Sequence, residues 1–354
     1  MGKELNEIVM KTYNTNGIQK ILIIMLYRIG DVLLTTPVVS EIKRLIPGAI
    51  VHFLVEKSFF DIVSLNPQID EILLLEKKLI PQLKLIFRLR KEKYNFIFDF
   101  QSNPRSALLT LLSGAEKTFG YDFNIRRYFY KYAYRPNARP QYAVDFKFNL
   151  LRSAGFNPEK HSTFFYFSKD DGLTAEKILN QLNIKEKKFF ILSTTSRRKT
   201  RRWLPEYFVK LACMVYKDTG IPLLLVAGPG EREYVQRIYD KCKECFRLLP
   251  PLTIKQAGAL FRSAKMYIGN DNGLKHLSVA VGLPTFTIFG PSQPSYWTPP
   301  DAIHRWIRTD VDCIECGRVE CDNIKCMKLL APERVFEELL SFIRELDNIT
   351  NVVK

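Results

Sequence analysis

The sequence predicts an α/β protein built from two parallel-sheet halves. Three observations carry this. Residues 21–27 form a continuous apolar run that ends in a Gly-Asp turn and gives way to helical spacing. Such a run reads as a strand covered on both faces, as in parallel sheets. Short apolar strands then alternate with amphipathic helices, the signature of βαβ units. Finally, the rhythm lapses near residue 157 and restarts near residue 188.

In the first half, the strand 21–27 ends at Arg28-Ile29-Gly30-Asp31. Thr36 is the expected N-cap of the next helix, with Pro37 at its first position. Val38, Val39, Ile42, Leu45 and Ile46 give that helix an apolar face. Residues 50–55 read as a second strand, 59–65 as a short helix, 71–75 as a third strand and 79–93 as a basic helix. Residues 95–100 form a fourth strand, followed by Gln101-Ser102-Asn103-Pro104-Arg105 and a helix through Leu112. Residues 113–140 have no clear period. Residues 142–154 are helical and stop at Gly155, and 157–172 reads as a linker.

In the second half, the strand 188–193 leads into a basic loop that runs to Trp203, and a helix covers 205–217. The strand 221–227 ends in Gly228-Pro229-Gly230-Glu231, with a helix after it. A helix over 254–264 precedes the strand 265–269, which ends in Asn270-Asp271-Asn272-Gly273 where another helix begins. The strand 284–289 is closed by Gly290-Pro291-Ser292. Two such halves of about 160 residues each imply two Rossmann-like domains facing a cleft. No internal sequence repeat relates them.

Composition narrows the function classes. The 354 residues contain 46% hydrophobic side chains, enough for two cores. No apolar run approaches the roughly 18–20 residues of a spanning helix. The first 17 residues are polar and lack the apolar segment of a secretory leader, so a soluble, cytoplasmic protein is expected. The formal charge of +16 points to a polyanionic partner or surface. Much of the charge falls in 84–93, 126–139 and 197–202. The segment 126–139 mixes Arg and Lys with Tyr and Phe, suited to stacking bases, lying on a headgroup layer or forming an ordinary basic surface.

Ligands of open α/β sheets sit at the carboxyl ends of the strands. Asp31, beside Gly30 at the end of the first strand, is therefore the first candidate for chemistry; its plain alternative is a cap or turn residue. Asp99, Gln101, Asn103 and Arg105 hold the same position on the fourth strand, with turn formation as their alternative. In the second half, residues 194–202 offer hydroxyls and five cations in one loop. That combination suits a diphosphate. The segment from Asp271 to His276 opens a helix whose free N–H groups attract an anion. Glu231 could hold a ribose, as acidic residues do in other nucleotide folds. There is no Gly-x-Gly-x-x-Gly after the first strand and no Walker motif, so dinucleotide oxidoreductases and P-loop enzymes lose support.

These residues together resemble a known family. Arg28-x-Gly30-Asp31 with Thr36-Pro37, then Trp203-x-Pro205, then Asp271-x-Gly273-x-x-His276-x-x-x-Ala280, then Phe289-Gly290-Pro291, is similar to the lipopolysaccharide heptosyltransferases of glycosyltransferase family 9. The likeness runs from Lys20 to the last helix and leans toward the second and third core heptosyltransferases. It implies a GT-B fold: an acceptor domain over 1–165, a sugar-nucleotide domain over 166–330, and a C-terminal helix in 331–354 that crosses back to the first domain.

The implied donor is ADP-L-glycero-D-manno-heptose. The implied acceptor is the anionic Kdo-lipid A inner core, bare or heptosylated, with peripheral contact at the inner membrane. The resemblance makes Asp31 the catalytic base. It makes Thr194, Thr195, Lys199, Arg201, Asp271, Gly273, Leu274 and His276 donor-binding, with Glu231 or Glu233 for the ribose or adenosine. Arg28, Gln101 and Arg105 are the acceptor-side candidates. Arg201 stands where the family usually has a Lys; it can bind a diphosphate but cannot give up a proton. The implied reaction is direct displacement with inversion. No Asp-x-Asp follows any of the strands read above, so no metal ligand and no cofactor are expected.

Seven cysteines in a cytoplasmic chain argue against a disulfide framework. Cys213, Cys242 and Cys245 read as core or incidental thiols. Cys313, Cys316, Cys321 and Cys326 are closely spaced; they could hold zinc or a small Fe–S centre, or form a reduced structural loop, which is the preferred reading. Two rivals to the main reading remain: a GT-B transferase for another sugar nucleotide, and a basic nucleic-acid-binding protein. The second gives no reason for Asp31 and Asp271 at strand ends, so nucleic acid is not an expected partner.

Overall fold

The computed structural model describes residues 19–136 and 140–352. The first 17 residues, and 137–139 at the end of the basic aromatic segment, lie outside the described residues. The chain divides after Tyr166 into two compact units.

The first unit holds a six-stranded parallel sheet in the order β3-β2-β1-β4-β5-β6. Its strands are β1 (Lys20–Ile24), β2 (Ile50–Glu56), β3 (Glu71–Leu75), β4 (Phe96–Asp99), β5 (Lys117–Tyr121) and β6 (Tyr132–Tyr134). Ile21 to Ile24 are fully buried, which is why β1 reads as an unbroken apolar run. Beyond Ile24 the pairing continues: the Met25 N–H donates to the Leu54 carbonyl and the Glu56 N–H to that of Leu26. Phe98 stacks on Phe119 at 5.1 Å and meets the edge of Phe156 at 5.7 Å, fixing β4 and β5 beneath the segment that follows helix Ala143–Ser153.

The second unit repeats the topology. Its strands are β7 (Phe190–Ser193), β8 (Leu223–Leu225), β9 (Phe246–Leu248), β10 (Met266–Asn270), β11 (Thr285–Ile288) and β12 (His304–Ile307). Their order is β12-β11-β10-β7-β8-β9, all parallel. Numbered from its own first strand, each sheet runs 3-2-1-4-5-6, the doubly wound order that leaves a crevice where the winding reverses. The reversal falls between β1 and β4 in the first unit and between β7 and β10 in the second.

Four strands carry no apolar run and escape a sequence reading. β6, β9 and β12 are sheet edges of three or four residues, with exposed or charged positions such as Tyr132, Arg247 and Trp306. β5 is broken by Gly120, where a Cβ would collide with the Tyr130 ring. The region 113–140, expected to be irregular, thus contributes two strands. Helix Lys169–Gln181 starts inside the expected linker, because Ser168 and Asp171 form a reciprocal capping box.

In the last helix, Pro332–Val352, the residues Val335, Leu339, Phe342, Ile343 and Leu346 belong to the core of the second unit, packed with helix Pro205–Thr219 and β12.

Candidate active site

In the first unit, the crevice lies where β1 and β4 end. Arg28 adopts a left-handed backbone (φ 78°), a strained conformation for a side-chain-bearing residue. That kink turns the chain from β1 into a short helix, Ile29–Leu33. Asp31 therefore sits in the first turn of a helix and not in an open turn, half-buried. Helix Thr36–Leu45 follows with Thr35, not Thr36, at the N-cap. Both threonines bond backward, Thr35 Oγ1 to the Asp31 carbonyl and Thr36 Oγ1 to that of Leu33, each at 2.7 Å. Asp31 is thus held on a locked backbone.

Lys147, on helix Ala143–Ser153, is buried and interacts electrostatically with Asp31. Burial lowers its pKa and the Asp31 carboxylate pulls it back up. The sequence reading missed Lys147, because a lysine at an apolar helix position carries no motif.

The other first-unit candidates separate. Asp99 is fully buried and serves the loop: it accepts the N–H groups of Gln101 (3.0 Å) and Ser102 (2.8 Å) and the Tyr130 hydroxyl (2.7 Å). Burial raises its pKa to about 6. Asn103 caps helix Pro104–Leu112. Arg105 is engaged by Glu56 (2.9 Å) and the Glu76 carbonyl (2.7 Å). Gln101 keeps a buried Oε1 with no hydrogen-bond partner among the described residues. Arg28 is exposed, 5.7 Å from the Tyr27 ring. Arg126 and Tyr130 of the basic aromatic segment tie down the β4 exit, Arg126 by donating to the Ser102 carbonyl at 2.7 Å.

In the second unit, the crevice lies between the ends of β7 and β10. The two strands approach closely at Gly269, where a Cβ would collide with the Ser193 carbonyl. Side chains beyond the strands then knit the two exits. The Asn270 side-chain amide donates to the Thr194 carbonyl (2.9 Å), and its Oδ1 accepts the Trp203 N–H (3.0 Å). Asn272 donates to Ser193 Oγ (2.8 Å) and the Thr195 carbonyl (2.7 Å). Asn272 is also the N-cap of helix Gly273–Ala280, accepting from Leu274 (2.9 Å) and Lys275 (3.1 Å). Two of the amides expected to be free for an anion are therefore already taken.

The charges converge on Asp271. Its carboxylate meets Arg201 at 2.8 Å, Ser292 at 3.1 Å and Lys275 at 3.8 Å. Lys275 is fully buried; its ammonium also donates to the Trp297 carbonyl and lies 5.5 Å from the Phe289 ring centroid. Burial lowers the Lys275 pKa to about 8, against the upward pull of Asp271. Two cations face one carboxylate, so the crevice carries a surplus positive charge. It also holds spare donors: Arg201 Nε and Thr194 Oγ1 are buried with no hydrogen-bond partner among the described residues. A buried donor left unmade costs about 1–3 kcal/mol, and an anion with several acceptor oxygens would recover it.

Most second-unit candidates gather here. Thr195 Oγ1 donates to Glu231 at 2.8 Å, and Glu231 also accepts from Gly228 and lies 3.6 Å from Arg202. Glu233 is exposed beside Arg237, so Glu231 is the carboxylate at the loop. His276 is buried, its ring edge-on to Trp297 at 5.7 Å. Gly273 and Leu274 lie half-buried in the first helical turn, and Lys199 is exposed on the loop. Lys275, Asn272, Ser292 and Trp297 were missed by the sequence reading. Lys275 had a signal: it stands four residues after Asp271, a spacing at which opposite charges pair.

Two cysteines, Cys242 and Cys245, are bonded where free thiols were expected. Cys213, Cys242 and Cys245 cluster, with Cys242 and Cys245 joined as a disulfide. Cys326 is buried, and Cys313, Cys316 and Cys321 lie close enough to act on its thiol electrostatically.

Comparison with known proteins gives this geometry its family. A lipopolysaccharide heptosyltransferase 1 from Pseudomonas aeruginosa is 26% identical over 318 residues, covering 85% of this chain and 87% of that protein. A lipooligosaccharide heptosyltransferase 2 from Campylobacter jejuni is 27% identical over 327 residues, covering 89% and 96%. The solved structure of an Escherichia coli ADP-heptose lipopolysaccharide heptosyltransferase II superposes with a TM-score of 0.77 at 20% identity, over 93% of this chain and 100% of that one. The fold is thus α/β of the GT-B class. The model of glycosyltransferase family 9 (heptosyltransferase) matches residues 82–327, and this chain, a glycosyltransferase, belongs to that family.

Proposed function

We propose that the protein transfers a heptosyl group from ADP-L-glycero-D-manno-heptose to the inner core of lipopolysaccharide, with inversion at the anomeric carbon. The observation that carries the donor half is the surplus positive charge with two orphan donors at the second-unit crevice. A sugar nucleotide's diphosphate supplies the missing anion. In this reading Arg201, Lys275, Lys199 and Thr194 hold the diphosphate, and the Thr195–Glu231 pair takes the ribose side. Asp271, Gly273, Leu274 and His276 form the wall around the donor. The relatives named above act in lipopolysaccharide or lipooligosaccharide synthesis by their names, and one is titled for ADP-heptose.

The acceptor half rests on the first unit. Asp31 takes the proton from the attacking hydroxyl as ADP departs. Arg28, Gln101 and Arg105 lie on the same sheet edge and recognise the acceptor; the +16 charge suits a phosphorylated, anionic lipid at the cytoplasmic face of the inner membrane. No helix among the described residues is long and apolar enough to cross a membrane. The departing charge is met by protein cations preorganised around it, so turnover is expected to survive chelation.

Competition binding tests the donor. ADP and ADP-heptose displacing a fluorescent ADP analogue, with UDP-sugars failing to compete, supports the reading. The reverse order of preference would make the protein a GT-B transferase for another sugar nucleotide.

A further inference from the structure

Away from both crevices, the second unit gathers three sulfurs. Cys213 projects from helix Pro205–Thr219. Cys242 and Cys245 form a Cys-x-x-Cys turn between helix Arg232–Tyr239 and β9. Cys213 Sγ lies 3.1 Å from Cys242 Sγ and 3.5 Å from Cys245 Sγ. Cys242 and Cys245 are buried, in the same core as Val215, Leu223, Ile238 and Phe246. Two segments remote in sequence thus converge three sulfurs on one point.

Zinc–thiolate bonds of about 2.3 Å place sulfurs about 3.8 Å apart around a tetrahedral ion, a spacing that Cys213 falls short of by less than about 1 Å and that Cys242 and Cys245 reach by parting once their bond is reduced. The turn is built to hold such a set. The Cys242 carbonyl accepts the Phe246 N–H and the Cys245 carbonyl the Leu223 N–H. Arg247 Nη1 donates to the carbonyls of Lys243, Glu244 and Phe246, at 3.3, 3.2 and 2.7 Å. Its charge offsets the net negative charge of three thiolates on a divalent ion.

We propose that Cys213, Cys242 and Cys245 form a three-thiolate site for a thiophilic divalent cation of the zinc type, available when the Cys242–Cys245 bond is reduced. A dithiol reductant supplies two electrons and two protons to open that bond. Three thiols then bind one Zn²⁺ and release three protons. The fourth position falls to water or the Glu244 carboxylate, which acts electrostatically on Cys213. Burial, and after it the Glu244 carboxylate, holds the Cys213 thiol above its ordinary pKa, and a bound cation reverses that by stabilising the thiolate. The site is structural: it pins the Cys-x-x-Cys turn to helix Pro205–Thr219, away from the donor crevice.

The test uses the full-length protein, fully reduced, desalted and titrated with Zn²⁺, then Co²⁺. Differential alkylation read by mass spectrometry is the main readout and needs no variant. Zinc should slow alkylation of Cys213, Cys242 and Cys245 at least tenfold, with a chelator restoring it. Cobalt should give sulfur-to-metal charge-transfer absorption that survives in Cys313→Ser/Cys316→Ser and is lost in Cys213→Ser. Protection of only the 313–326 cysteines overturns the proposal. So does failure of zinc to protect any of the three thiols, or cobalt absorption unchanged in a folded Cys213→Ser.

Discussion

Replacing Arg201 by Met separates structural work from ligand binding at the second-unit crevice. Arg201 spends one donor, Nη1, on Asp271 at 2.8 Å and leaves Nε buried without a partner. In the proposed function that spare donor goes to the diphosphate. A hydrogen bond to a charged group is worth about 1.5–3 kcal/mol, so ADP should bind roughly 10- to 100-fold more weakly. Stability should fall less than the 3–5 kcal/mol typical of breaking a buried ion pair, because Asp271 keeps Lys275 and Ser292. Adding Asp271→Asn then leaves the fully buried Lys275 without its carboxylate, so the double variant should lose further stability. Isothermal titration with ADP and urea denaturation on the same samples measure both. If Arg201→Met binds ADP within threefold of wild type while remaining folded, the charge surplus is not the diphosphate site.

Four other perturbations bear on the account. The Lys275 ammonium titrates near pH 8 when free. ADP affinity should therefore be level below pH 8 and fall up to tenfold per unit above it, and Lys275→Arg should abolish that break. The same residue penalises folding fully below pH 8, and the penalty lifts as the pH rises toward the unfolded value of 10.5, so denaturation midpoints should show a matching rise relative to Lys275→Met. Lys147→Met removes the cation that acts on Asp31; the acid limb of the rate profile should move to higher pH while ADP affinity, measured by titration, stays unchanged. Gly269→Ala should give little folded protein by circular dichroism, since the added Cβ meets backbone, whereas Asn272→Ala should fold but lose more than the roughly 0.5–2 kcal/mol of a missing cap, since its bonds to Ser193 and Thr195 go with it.

The positions of the crevice segments were legible because strand ends announce themselves. A buried parallel strand is a continuous apolar run, and the first polar residues after it mark the crevice edge, as at Asp31, Thr194 and Asp271. The doubly wound order then brings β7 and β10 side by side, so loops 76 residues apart share contacts. What the sequence hid was the internal economy of the site. Asp271 and Asn272 are adjacent and similar, yet one collects cations while the other caps the helix and ties down the β7 exit. That division depends on side-chain direction at a helix start, which spacing alone does not fix. Lys147 and Lys275 were hidden for a related reason: each is a charge on a buried helix face, explicable only by the carboxylate it meets. The cysteine trio was hidden because Cys213 comes from a different element than the Cys-x-x-Cys turn.

Acceptor-dependent release of ADP from ADP-heptose, in wild type and Asp31→Asn, tests the proposed transferase most directly. ADP binding is measured on the same preparations. The account predicts release with Kdo-lipid A or its heptosylated form, a drop of about 100-fold or more in Asp31→Asn, and unchanged ADP affinity. Full turnover in folded Asp31→Asn would contradict Asp31 as the base. Tight ADP binding with no release on either core acceptor would contradict the proposed acceptor.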